Sequence, residues 1–368
     1  MVGGAVPVGR RQLLAEPAKL VVAVLAVGAA VALVLLLTGL RRGMGEQVTT
    51  YLDHQPPVLV GQAGTRDFLS QTSVLPESTL ARVAAVPGVA GVDAISQGYA
   101  MLPLHGKRVL AVLIGYDERG GPWALAKGRV PRDGELVVDR VLADEHGLRL
   151  GSTLRFRGAD LRLVGLSKGT SGFMTPLAFT TRRTANALNE QPKTATFLLV
   201  TPAAGVSPLA LVSRIDRAVP GVGAALRDDL AANDREAFVG AFSGPLSAMV
   251  AIAALVAVLV IGLTVYSATR ERSREYATLK ALGLARGALL RLVTVQAGAL
   301  ALVGTVLGVL LALAAARGVS ALAPKYLIAL GPRDALAMTA AALVFALVAG
   351  LVPARYLANL DPATAFRR

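Results

Sequence analysis

Three histidines, at positions 54, 105 and 146, are what this chain offers to proton transfer near neutral pH or to a transition-metal ion. They stand 51 and 41 residues apart, and no ligand-type pattern surrounds them. The 368 residues include no Cys, which excludes a disulfide scaffold, a Cys-ligated zinc site, an iron–sulfur cluster and a thiol nucleophile. The phosphate-cradling G-x-x-x-x-G-K-[ST] is missing, as are G-x-S-x-G and H-E-x-x-H. The residues therefore predict no catalytic, cofactor or metal site in the chain itself.

The spacing that does carry information lies in a short charged stretch, Ala268-Thr-Arg-Glu-Arg-Ser-Arg-Glu-Tyr-Ala-Thr-Leu-Lys-Ala-Leu-Gly-Leu-Ala-Arg-Gly287. Glu271 and Glu275 stand i,i+4, as do Tyr276 and Lys280. Leu279, Leu282 and Leu289 recur at helical spacing beside a basic face, and Gly283 would interrupt or end the helix. Two readings fit. One is an amphipathic helix resting on anionic headgroups. The other is a coupling helix docked into a cytoplasmic ATPase. Physical chemistry alone leaves both open.

The elements around that stretch are set by hydropathy. The chain is 54% hydrophobic and 17% charged, with a mean hydropathy of +0.57. Soluble domains carry roughly a quarter charged residues, so a disordered chain or an ordinary soluble enzyme is a poor match. Residues 20–40, 245–267, 292–316 and 335–353 contain no Asp, Glu, Lys, Arg or His. Each run is about long enough to cross ~30 Å of hydrocarbon, and four transmembrane helices are expected. The first is too long for a signal-peptide core, and Arg41 and Arg42 follow it instead of a cleavage site, so it reads as an uncleaved anchor.

Between the first two spans, residues 41–244 hold 23 of the 38 basic and 19 of the 24 acidic residues, the balance of a normal soluble domain. Strand-like runs at 57–60, 108–115, 135–139, 153–157, 161–166 and 197–201 alternate with helix candidates at 76–86, 140–146 and 207–219. An α+β domain is expected. Val-Pro-Gly-Val closes two helix candidates, at 86–89 and 219–222, which suggests two related half-units flanking an inserted subdomain at about 123–188. Residues 42–53 and 224–242 read as helical stalks adjoining the spans, with Gly43 and Gly45 as a soft spot in the first.

Charge sets the topology. Segments 1–19, 268–291 and 354–368 hold 12 basic residues, against 3 in the loop 317–334 on the other face. Both termini are then cytoplasmic and the 41–244 domain lies outside. These cytoplasmic segments account for +8 of the net +14 charge, so anionic lipid explains the basic balance without nucleic acid.

The string Glu271-Arg272-x-Arg274-Glu275-x-x-x-Leu279-Lys280-Ala281-Leu282-Gly283 resembles the "E-R-x-R-E-I-G-x-L-K-A-L-G" loop of MacB/FtsX-type, or type VII, ABC transporter permeases. Further matches follow in order. They are Gly304-x-x-x-Gly308 in the third span, then Pro353-Ala-Arg355, then Leu360-Asp361-Pro362 in the tail. The tail is similar to the family's "P-A-R-x-x-x-x-L-D-P-x-x-A-L". The entry Leu14-Ala-Glu-Pro-x-Lys19 is similar to DevC-like exporter permeases. The chain departs from the pattern at Tyr276-Ala277 and at Gln296, where relatives often carry Glu.

The resemblance implies one plus three spans around a MacB-like periplasmic core domain, in a bacterial plasma (inner) membrane. It implies a partner ABC ATPase that holds ATP and Mg, so that the permease is no enzyme itself and binds no cofactor directly. It also implies a second permease copy, in a homodimer or heterodimer, and allows an extracytoplasmic adaptor. Glu271, Arg272, Arg274, Glu275, Leu279, Lys280, Leu282 and Gly283 would form the ATPase-coupling loop. Gly304 and Gly308 would be helix-packing residues, either inside one subunit or at a dimer face. Function would be export or extraction of a substrate driven by mechanotransmission. An FtsX-like regulator of a cell-wall hydrolase and a membrane-anchored receptor are the alternatives.

Overall fold

Val-Pro-Gly-Val stops a helix and turns the chain into a strand, and the fold is built on using that turn twice. A computed structural model describes residues 17–69, 73–104, 107–172, 175–271 and 286–359. It divides into an α+β unit, residues 43–242 with 324–326, and a helical unit made of the flanking segments.

Helix α1 (Pro17–Thr49) leads into β1 (Val58–Gln62), β2 (Leu75–Pro76), α2 (Ser78–Ala84), β3 (Val89–Leu104) and β4 (Lys107–Tyr116). Next come β5 (Leu125–Gly128), β6 (Glu135–Asp139), α3 (Arg140–Glu145), β7 (Thr153–Phe156), β8 (Ala159–Ser167), β9 (Leu177–Thr181) and α4 (Arg182–Leu188). Then β10 (Thr194–Ala195), β11 (Phe197–Pro202), α5 (Pro208–Ala218) and β12 (Val222–Leu226) complete the α+β unit.

The main sheet runs β12-β1-β11-β3-β4-β9-β6-β8-β5, with β7 paired to β8. Its first four strands, all antiparallel neighbours, are two interlocked split units, β1-α2-β3 and β11-α5-β12. That order is a ferredoxin-like βαββαβ arrangement. The two repeated phrases are its helix-to-strand turns. Gly88 (φ +100°) and Gly221 (φ +87°) both take the left-handed conformation that only glycine enters without strain. Val83, Val86, Ile215 and Val219 from the two helix ends share one core.

Strands β4 to β9 lie between β3 and β11 in the chain but extend the sheet beyond β3. The segment expected as an inserted subdomain, about 123–188, supplies β5 to β9, and these strands continue the same sheet. The outer edge of β4 pairs in parallel with β9, from Val112–Leu177 to Tyr116–Thr181. An unpaired edge of buried strand would leave N–H and C=O groups without partners, and β9 supplies them.

Alternation along the strands sorts the side chains onto two faces. Leu59, Ile95, Val112, Ile114, Val137, Phe179, Phe197 and Leu199 point to one face. Val58, Val60, Ala94, Leu198 and Val200 point to the other, under α2 and α5. Leu113, Leu136, Val138 and Ala178 extend that second face under α3 and α4.

In the helical unit, α6 (Arg227–Glu271), α7 (Arg286–Leu322) and α8 (Pro332–Asn359) join α1. The expected stalk helix at 224–242 is corrected at its start: residues 224–226 belong to β12, paired with β1, and the helix begins at Arg227. The pairing overrides the helix preference of Ala224 and Ala225. Among the described residues, three stretches are long and apolar enough to cross a membrane: Leu20–Thr49, Gly244–Ser267 and Thr294–Leu322. Buried contacts within the helical unit use many small residues. Ala297, Ala301, Ala312, Ala342 and Ala346 pack around Val27, Val31 and Leu35 of α1, and small side chains allow close approach where lipid offers no hydrophobic drive.

Candidate functional site: helix ends seated in the α+β unit

Gly43 and Gly45 looked like a soft spot, yet α1 continues helically through both to Thr49, and both are buried. Gly45 makes room for a neighbour. A Cβ there would lie 3.3 Å from Cδ of Arg235 on α6. Arg235 Nη2 in turn donates to Thr49 Oγ1 at 3.3 Å. The glycine is a contact between α1 and α6, not a break.

At the end of α1 and just past it, Val48, Tyr51 and Leu52 enter the sheet core. The Tyr51 hydroxyl donates to the Gly120 carbonyl at 2.9 Å, and its ring stacks on Phe68 with centroids 5.1 Å apart. Burial pushes the Tyr51 phenol well above its ordinary value. The end of α1 is thus fixed by apolar packing and by directional bonds at Gln47, Thr49 and Tyr51.

Helix α6 begins with an apolar stripe, Leu230, Ala231 and Phe238, that carries one acid, Asp234. Asp234 is fully buried. Its Oδ1 accepts the amide hydrogens of Phe68 at 3.0 Å and Leu69 at 2.9 Å. Burial pushes the carboxyl up to about 7, against the pull of those two amides. Asn233 Nδ2 donates to the Arg66 carbonyl at 2.8 Å, and the Tyr99 hydroxyl to the Leu69 carbonyl at 2.7 Å. Burial, with Asp234 nearby, carries the Tyr99 phenol up to about 12. Residues 66–69 are clasped between α6 and β3. The sequence reading missed this clasp. The available signal was a single acid on an apolar helical stripe.

The expected site residues are distributed as follows. Glu271 is the last residue of α6 and accepts from Ser267 Oγ at 3.3 Å. Arg272, Arg274, Glu275, Leu279, Lys280, Leu282 and Gly283 lie outside the described residues, as do Leu360, Asp361 and Pro362. Pro353 and Arg355 fall within α8. Gly304 and Gly308 of α7 face α1 of the same chain. A Cβ on Gly304 would lie 2.6 Å from Val27 Cγ1, and one on Gly308 2.7 Å from the Gly28 carbonyl oxygen. Gly28, not singled out from sequence, completes this contact.

Residues 20–218 match the family model for the MacB-like periplasmic core domain, and residues 247–362 that for the FtsX-like permease C-terminal region. The chain belongs to the MacB/FtsX family of ABC transporter permeases. An uncharacterized ABC transporter permease of Mycobacterium tuberculosis is 26% identical to this permease over 355 residues, covering 95% of each chain. One from Mycobacterium bovis is 27% identical over 363 residues, again covering 95% of each. The crystal structure of the periplasmic region of MacB from Actinobacillus actinomycetemcomitans overlays on 52% of the permease and 94% of that chain. Its identity is 14% and its TM-score 0.38.

Proposed function

We propose that the permease couples ATP hydrolysis by a separate ABC ATPase to movement of its α+β unit, and so drives export or extraction of a substrate by mechanotransmission. One observation carries this reading. Helices α1 and α6 run unbroken from apolar spans into the α+β unit, and there both are seated in the sheet core, by Tyr51 and by Asp234. A helix fixed at its far end passes on tilt and translation that a flexible linker would absorb. Pro245 lies inside α6, where it removes one helical hydrogen bond and localises any bend.

In this reading α8 is a fourth span over residues 335–353, both termini are cytoplasmic, and the membrane is the bacterial inner membrane. Two permeases work together with two ATPases. Residues 268–291 form the coupling segment. Glu271, Arg272, Arg274 and Glu275 would engage the ATPase by charge, and Leu279, Lys280, Leu282 and Gly283 would seat the helix. ATP and Mg belong to the partner.

The test is ATPase activity and transport of the full complex carrying Glu275→Lys or Leu279→Trp. Membrane insertion should persist while stimulation of the ATPase and transport are lost together. Retention of ATPase binding, stimulation and transport in both variants would refute the coupling assignment.

A further inference from the structure

An apolar groove of about 250 Å³ opens on the helical unit, lined by Leu35 of α1, Val309, Ala312 and Leu313 of α7, and Leu330, Pro332 and Ala335 around the start of α8. Its mouth is basic. Arg42 lies two turns beyond Leu35 on the same face of α1, and Arg317 one turn beyond Leu313 on α7. Arg333 follows the groove residue Pro332, and both Arg317 and Arg333 are exposed. Arg42 Nη1 is held by Asp334 Oδ2 at 3.0 Å, which also accepts from the Gly331 amide at 2.9 Å. Three arginines against one aspartate leave the mouth at +2.

Helix length places these arginines at one depth. Counted from Leu20 on α1 and Thr294 on α7, ~30 Å of hydrocarbon is crossed in about 20 residues. Arg42 and Arg317 then stand just past the apolar core, at headgroup level, with the apolar groove directly below them. Arg333 precedes the apolar run of α8. An apolar slot beneath a cationic rim is complementary to one class of molecule, a lipid with an acyl chain and an anionic headgroup.

We infer that this groove is a binding site for an anionic phospholipid, with one acyl chain between α1, α7 and α8 and the phosphate at Arg317 and Arg333. Only the assignment to the outer leaflet rests on the topology proposed above.

The full-length permease, taken from vesicles of equal phosphatidylglycerol and phosphatidylcholine, is examined by native mass spectrometry. Wild type should retain phosphatidylglycerol in preference to phosphatidylcholine. Leu313→Trp, which fills the slot, should lose it, while Leu313→Ala, which widens it, should keep it. Ala335→Trp, on the opposite wall, serves as a second filling variant. Arg317→Gln with Arg333→Gln should still bind lipid but lose the preference, about fivefold per arginine removed. Equal retention of the two lipids by wild type overturns the site. So does full retention in both filling variants, or cross-linking of two copies through Leu313→Cys, which would make the groove a subunit contact. Alkylation of Arg317→Cys from the cytoplasmic side of intact membranes would overturn the leaflet and the topology together, while lipid retention would still stand.

Discussion

Asp234 of α6 holds the backbone amide of Leu69 at 2.9 Å from a fully buried carboxylate. The carboxyl is pushed up to about 7, so the folded permease keeps a proton that the unfolded chain releases near pH 4. Stability from this group is complete below about pH 4 and is lost as pH rises through about 7. The unfolding midpoint of the full chain in detergent should fall between pH 5 and 8. Asp234→Asn keeps an acceptor for both amides and removes the charge, so it should flatten that slope. An unchanged slope in the variant would assign the titration to another group.

Gly308 and Gly28 set how closely α7 can approach α1. A Cβ on Gly308 would lie 2.7 Å from a backbone oxygen and 2.8 Å from Val31 Cβ, neither of which can swing aside. Gly308→Ala should cost about 1–3 kcal/mol through overpacking. Gly28→Ala meets Leu307 side-chain atoms at 3.2 Å and should cost less. Gly298→Ala meets nothing within 4 Å and should be neutral or slightly stabilising. Thermal unfolding in detergent ranks the three, and a Gly308→Ala protein as stable as Gly298→Ala would show that the helices have slack.

Asp139 caps α3, accepting from the Val141 amide at 2.9 Å, and is buried. It also accepts from Thr170 Oγ1 at 2.7 Å and Ser171 Oγ at 2.6 Å. Asp139→Ala strands three donors, one of which, the Thr170 hydroxyl, is fully buried. The expected cost is about 2–4 kcal/mol, with a milder loss for Asp139→Asn. The single tryptophan, Trp123, stacks on His54 within the α+β unit, so denaturant titration followed by its fluorescence reads this unit alone. Equal midpoints for wild type and Asp139→Ala would contradict the network.

The long apolar helices were legible because a charge-free run of 20 or more residues has few other uses. The repeated Val-Pro-Gly-Val was legible because both copies need the same left-handed glycine. Strand β3 was not. Gly91, Asp93, Gly98 and Pro103 break its alternation, and only pairing with β11 on one stretch and β4 on the next makes it continuous. Strand β9, behind Pro176, carries Thr180 and Thr181 where the pattern calls for apolar residues. Its place depends on the free edge of β4, which is nonlocal information. Asp234 was hidden among Asp228, Asp229 and Glu236, which resemble the charged face of any exposed helix. What distinguishes it is the segment at 66–69 folding over it, and that lies about 165 residues away.

Strand β3 has a mechanical consequence. Its 16 residues reach roughly 50 Å at about 3.3 Å each, and it is stitched to the ferredoxin-like half at one end and to the β4 hairpin at the other. The added strands hang on that hairpin through β9. Strand β3 therefore ties the two halves of the α+β unit together through one continuous backbone segment. A displacement of the residues around Ile95 is passed along β3 and its ten-residue pairing with β4, so anything bound near Leu104 and Lys107 would be moved with it.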